Sequence, residues 1–141
     1  MKFWHSKSSV FVALCISLMI NPNPSSYATS NLIAIQESSN QKSITITKST
    51  KVTITLHSTY WSLESSGTLI AQGEPVVKPI LPSPSAPETC KTAGMGCGTV
   101  TWRFIAKKTG TTEFVAKRTS CGESLRCTTE QGTFRVKFKV K

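Results

Sequence analysis

GTVTWRFIAKKTGTTEFVAKR, residues 98–118, alternates apolar and polar side chains twice in succession. Val100, Trp102, Phe104 and Ala106 fall on one side of an extended chain, and Thr99, Thr101, Arg103, Ile105 and Lys107 on the other, the period of two that marks a half-buried strand. After Lys108-Thr109-Gly110 the alternation restarts, with Thr112, Phe114 and Ala116 set against Thr111, Glu113, Val115 and Lys117. Two such strands around a short Gly-containing loop read as an antiparallel hairpin whose aromatic side faces a core.

The same alternation recurs on both sides of this pair. Upstream, Ile44 and Ile46, then Val52, Ile54 and Leu56, alternate with Ser, Thr and Lys, a β-branched strand pattern. Trp61 and Leu63 share a face and are expected to plug the core, while residues 68–71 allow one further short strand. Pro75, Pro79, Pro82, Pro84 and Pro87 crowd the segment 75–87, which limits it to an edge strand around Val76 to Leu81 followed by an extended connector. Downstream, Phe134, Val136, Phe138 and Val140 alternate with Arg135, Lys137, Lys139 and Lys141, giving a closing strand with one apolar and one cationic face. Short strands, frequent turn signals and no helical period predict an all-β, immunoglobulin-like antiparallel β-sandwich of about seven strands.

The first 28 residues read differently. Lys2 and Lys7 precede an apolar run from Val10 to Ile20, and Ser26-Tyr27-Ala28 supplies small residues where a signal peptidase cuts. The run is about half the roughly 20 residues a spanning helix needs, so residues 1–28 read as a secretory signal. Residues 29–42 then form a flexible lead-in or edge strand, and residues 43–141 the single domain. Removing 28 of the 141 residues leaves 113, with 15 of the 17 Lys and Arg and all seven acidic residues, a balance of about +8. Every acidic residue is Glu, which excludes Asp-based triads and EF-hand loops.

Cysteine usage agrees with export to the periplasm or the extracellular space. Without Cys15, the chain keeps Cys90, Cys97, Cys121 and Cys127, an even number in a compartment that permits disulfides. Four cysteines allow three connectivities; close spacing favours Cys90 with Cys97 and Cys121 with Cys127 over cross-loop pairing without excluding the latter. The gaps of six and five residues are too wide for ordinary zinc-ligand pairs, so no metal is expected. His57 has only the adjacent Ser58 as a nucleophile, a poor geometry for a hydrolase, and no P-loop, dinucleotide fingerprint or HExxH occurs. Neither an enzyme nor a cofactor is expected.

Gly94-Met95-Gly96-Cys97-Gly98-Thr99, then a strand with aromatics, Ala106-Lys107-Lys108-Thr109-Gly110-Thr111, a strand ending at Arg118, and the closing strand from Phe134 together resemble the chagasin-like cysteine-peptidase inhibitors. More weakly, Lys51 to Leu56 followed by Tyr60-Trp61 matches the upstream part of that family. The resemblance implies an immunoglobulin-like fold whose three loops at one end block a papain-like cleft. It places the peptidase-binding loops at Ser58, Thr59 and Tyr60, at Gly94, Met95 and Gly96, and at Arg118, Thr119 and Ser120. Two departures stand out. Cys97 replaces a glycine of the second loop, and the first loop, which in the family enters the cleft through Asn-Pro-Thr-Thr-Gly, is reduced to His57-Ser58-Thr59.

Two functions follow as expectations. One is an exported, monomeric inhibitor of papain-like cysteine peptidases, with Arg118 as the leading contact because a guanidinium can bind a carboxylate or carbonyls in bidentate fashion. The other is a secreted basic module in which Arg135, Lys137, Lys139 and Lys141, with Lys51 and Lys117 on neighbouring strands, meet anionic polymers or a membrane surface. No aromatic shares that cationic face, so specific nucleic-acid binding is not expected.

Overall fold

The computed structural model describes residues 31–122 and 125–141. The secretory signal expected over 1–28, and the first residues of the lead-in, lie outside the described residues. Nine strands are present among those described: β1 Leu32–Ile35, β2 Ser43–Ile46, β3 Lys51–His57, β4 Ser62–Ser65, β5 Leu69–Ala71, β6 Val76–Pro79, β7 Gly98–Ala106, β8 Gly110–Lys117 and β9 Thr133–Val140. One helical turn, α1 Thr129–Gly132, precedes β9 and is closed by a capping box between Thr128 and Gln131.

These strands form a sandwich of two sheets. The first runs β1-β3-β7, with the far edge of β7 shared between β5 and β6; the second runs β2-β9-β8-β4. Most pairings are antiparallel, but each sheet also has one parallel edge pair, β1 with β3 and β2 with β9. Both sheets are therefore mixed. β1 is an edge strand beside β3, and β6, beside β7, ends at Pro79, short of the Leu81 expected for the edge strand of the proline segment.

β7 and β8 correct the hairpin expected for residues 98–118. They do not pair: β7 bonds to β3, β5 and β6, while β8 bonds to β9 over eight register positions and to β4. Residues 107–109 instead carry the chain from one sheet to the other. Apolar faces turned toward each other satisfy an arch as well as a hairpin, and the aromatics decide between them. Phe114 of β8 meets Trp102 and Phe104 of β7 edge-to-face, each with ring centroids 5.6 Å apart, and Phe134 of β9 at 6.2 Å. The two contacts with β7 cross from sheet to sheet and add about 0.5–1.5 kcal/mol each beyond area burial.

The alternation itself is realised. Val52, Ile54, Leu56, Val100, Phe104, Phe114, Phe134, Val136 and Phe138 are almost wholly buried in one core with Trp61 and Trp102. Burying each large apolar side chain contributes roughly 1.5–3 kcal/mol. Two sequence assignments shift. Leu63 is 41% exposed rather than buried in the core with Trp61, since β4 is the edge strand of its sheet. Lys51 opens β3 in the first sheet, opposite Ile105, and so cannot join the cationic face of β9 in the second.

Candidate functional site

Three connections meet at the end of the sandwich where β3, β6 and β8 finish and β4, β7 and β9 begin. The first, between β3 and β4, lies flat against the second. Ser58 N–H donates to the Gly98 carbonyl at 2.8 Å and Thr59 N–H to that of Gly96 at 2.7 Å. The Tyr60 hydroxyl donates to the Gly94 carbonyl. Gly96 has φ +65°, and a Cβ there would stand 2.4 Å from the Tyr60 ring, so the close seat of Tyr60 requires glycine at this position. Behind them, Trp61 is buried, and its Nε1 donates to the His57 carbonyl at 2.9 Å.

The second connection is closed by a disulfide between Cys90 and Cys97, and the third by one between Cys121 and Cys127. Both local pairs favoured by spacing are therefore present. The third connection is also a miniature ladder. Cys127 N–H donates to the Thr119 carbonyl, Cys121 N–H to that of Leu125, and Ser120 faces Arg126 in an isolated antiparallel bridge. At its base, Arg118 N–H donates to the Gly132 carbonyl at 2.9 Å, tying the loop to the start of β9.

The second and third loops touch. A Cβ on Gly122 would stand 3.7 Å from Met95 Cε and 3.9 Å from Leu125 Cδ1, so the two side chains converge on one spot. Leu125 is 70% exposed, and Leu81, from the proline segment beside the second loop, is 73% exposed. A groove of about 230 Å³ runs between Thr59 and Tyr60 on one side, Ile80 and Leu81 on another, and Gly94 to Gly96. All nine residues expected to bind a peptidase thus lie at this end, on or beside two covalently closed loops. Sequence reading missed Ile80, Leu81 and Leu125, because single apolar residues in irregular segments have no period to mark them.

Arg118 has a more confined setting than a free rim residue. Its guanidinium carbon lies 4.7 Å from the Trp61 ring centroid, and its Nε donates to the Gln131 carbonyl at 3.2 Å. Burial lowers its pKa while the charge of Glu37 raises it, and an arginine so perturbed stays protonated. Glu37 reaches the same end from a short 3-10 turn, Glu37–Ser39, that follows β1. Its Oε1 accepts from the His57 backbone N–H and lies 3.1 Å from His57 Nδ1. Burial raises the Glu37 pKa, but hydrogen bonds from the His57 and Glu37 backbone N–H groups and from the His57 ring outweigh it, leaving a net downward shift.

The cationic face of β9 is partly neutralised. Arg135 approaches Glu113 at 3.8 Å, Lys137 sits opposite Glu113 in the ladder, and Lys117 pairs with Glu64 across β8 and β4.

The sandwich resembles that of the cysteine protease inhibitor EhICP2 from Entamoeba histolytica, with a TM-score of 0.54 and 12% identity over 78% of this chain and 95% of that chain. The solution structure of amebosin aligns at a TM-score of 0.49 and 21% identity, over 79% of this chain and 98% of that one. No protein-family model and no curated protein matches the chain. At 12% identity the likeness to EhICP2 is one of fold, a β-sandwich of two sheets.

Proposed function

We propose that this chain is an exported proteinaceous inhibitor of papain-like cysteine peptidases, docking as a monomer through the loop end of its sandwich. The observation that carries the reading is the convergence of three connections at one end, two of them closed by disulfides and the third hydrogen-bonded flat against its neighbour. Loops held rigid lose little conformational freedom on docking, which favours a wedge that blocks a cleft. The shared fold with a protease inhibitor supports the same reading. Two disulfides fit an oxidising compartment, in keeping with cleavage of residues 1–28 on export.

The second reading, a basic module for anionic polymers or membrane surfaces, rests on Arg135, Lys137 and Lys139 projecting from β9. It is weaker by charge, since Glu113 and Glu64 offset part of that face and Lys51 belongs to the other sheet. Titration of the oxidised protein against papain at low and high ionic strength separates the two. Inhibition in the nanomolar range that persists in high salt is expected of the wedge; no inhibition, with salt-sensitive retention on an anionic polymer, would overturn it.

A further inference from the structure

A second feature of this end is chemically unlike the apolar crest formed by Met95, Leu81 and Leu125. Beneath the Cys121–Cys127 bridge lies an open hollow of about 750 Å³. Its walls carry Lys117, Arg118 and Arg126 with the hydroxyl-bearing Thr119, Thr129 and Thr133, and among the described residues no carboxylate lines it. Lys117 is engaged by Glu64. The two arginines are not so engaged: among the described residues neither has a carboxylate within ion-pair distance.

Both guanidinium groups hang from braced backbone. Arg118 is fixed by the Trp61 ring on one face and by its Nε bond to the Gln131 carbonyl, which leaves its other in-plane N–H groups, the ones arginine uses for bidentate bonds. Arg126 stands opposite Ser120 in the small ladder that the disulfide closes. Arg118 is half-buried and Arg126 exposed, and the N–H groups that neither ring nor carbonyl occupies are free to take the oxygens of an incoming anion. The volume is that of a small-molecule site, typically about 300–1,000 Å³, and well beyond a bare ion.

We propose that this hollow is an oxyanion site for a sulfated or phosphorylated saccharide unit, with Arg118 and Arg126 holding the ester oxygens and the threonine hydroxyls facing the sugar. It is distinct from the cationic face of β9, and it does not require that the chain inhibit a peptidase.

The test follows the arginine side-chain N–H signals of the oxidised protein by NMR during titration with a sulfated disaccharide and, separately, with sodium sulfate, each against sodium chloride at matched ionic strength. Saturable shifts at Arg118 and Arg126 with the disaccharide, weaker ones with sulfate and none with chloride are expected. Arg126→Gln, an exposed change that leaves the fold intact, weakens binding by about tenfold or more, whereas Lys137→Gln with Lys139→Gln on β9 leaves it within about twofold. Shifts that fail to saturate, that chloride reproduces, or that vanish with the β9 pair would overturn the site. Sulfate binding as tightly as the disaccharide would overturn the saccharide assignment. No peptidase enters this experiment, so its failure and that of the inhibitor reading are separable.

Discussion

The guanidinium of Arg118 rests on the ring of Trp61, 4.7 Å from its centroid, so the residue that opens the third connection roofs the first buried residue after the first connection. That contact makes Arg118 part of the scaffold as well as a candidate contact. Arg118→Ala is expected to lower stability by about 1 kcal/mol, the scale of a partly desolvated cation–π pair, with Arg118→Lys intermediate. Urea unfolding followed by tryptophan fluorescence checks this. A midpoint equal to that of the parent protein would mean that the stack contributes nothing.

Trp102→Ala probes the contact between sheets. Trp102 is 4% exposed and meets Phe114 across the core, so truncation is expected to cost about 3–5 kcal/mol. An unchanged midpoint in chemical denaturation would contradict the arch between β7 and β8.

Glu37 links stability to pH. Its pKa is depressed in the folded protein, so it contributes stability that is fully present above its ordinary value of about 4.5 and is lost as pH falls through the lower folded value. Glu37→Gln is therefore expected to be less stable than the parent at pH 6, and the gap between them is expected to close toward pH 3. Because the side chain is 41% exposed, the effect is modest. Urea midpoints of both proteins at the two pH values decide it; a gap that widens on acidification would reverse the sign.

The strands were legible because a two-residue period survives whatever sheet receives them: the inward apolar residues of β3, β7, β8 and β9 lie in the core as read, although Val115, read on the outward side of β8, is buried as well. Sheet membership was not, since it is a property of partners. The period of residues 98–118 serves an arch and a hairpin equally, and Lys51 looked like a neighbour of Lys137 only until β3 was seen to pair with β7. Leu63 stays 41% exposed because its strand, β4, is at the edge of the sheet, again a matter of partners. At the loop end, Cys and Gly marked the connections, and the first loop's short length agrees with its flat seat on Gly94, Gly96 and Gly98. Leu81 and Leu125 became visible only as exposed apolar side chains beside them.

Those apolar side chains carry the last prediction. The first connection is held down by three hydrogen bonds to the second, so the crest is left to Met95, which touches the same spot as Leu125, and to Leu81 on the flank. An exposed apolar residue on a rigid loop is the usual centre of a docking surface, and placing a carboxylate there obliges the complex to bury a charge. Leu81→Asp with Leu125→Asp is therefore expected to weaken inhibition of papain by at least about tenfold, while the thermal midpoint moves by no more than about 2 °C, as changes at exposed positions do. Lys137→Gln with Lys139→Gln is expected to leave inhibition unaltered. Inhibition constants for the two double variants, measured in the same buffer, decide between the ends of the molecule: a loss confined to the lysine pair would move the docking surface from the loop crest to the outer face of β9.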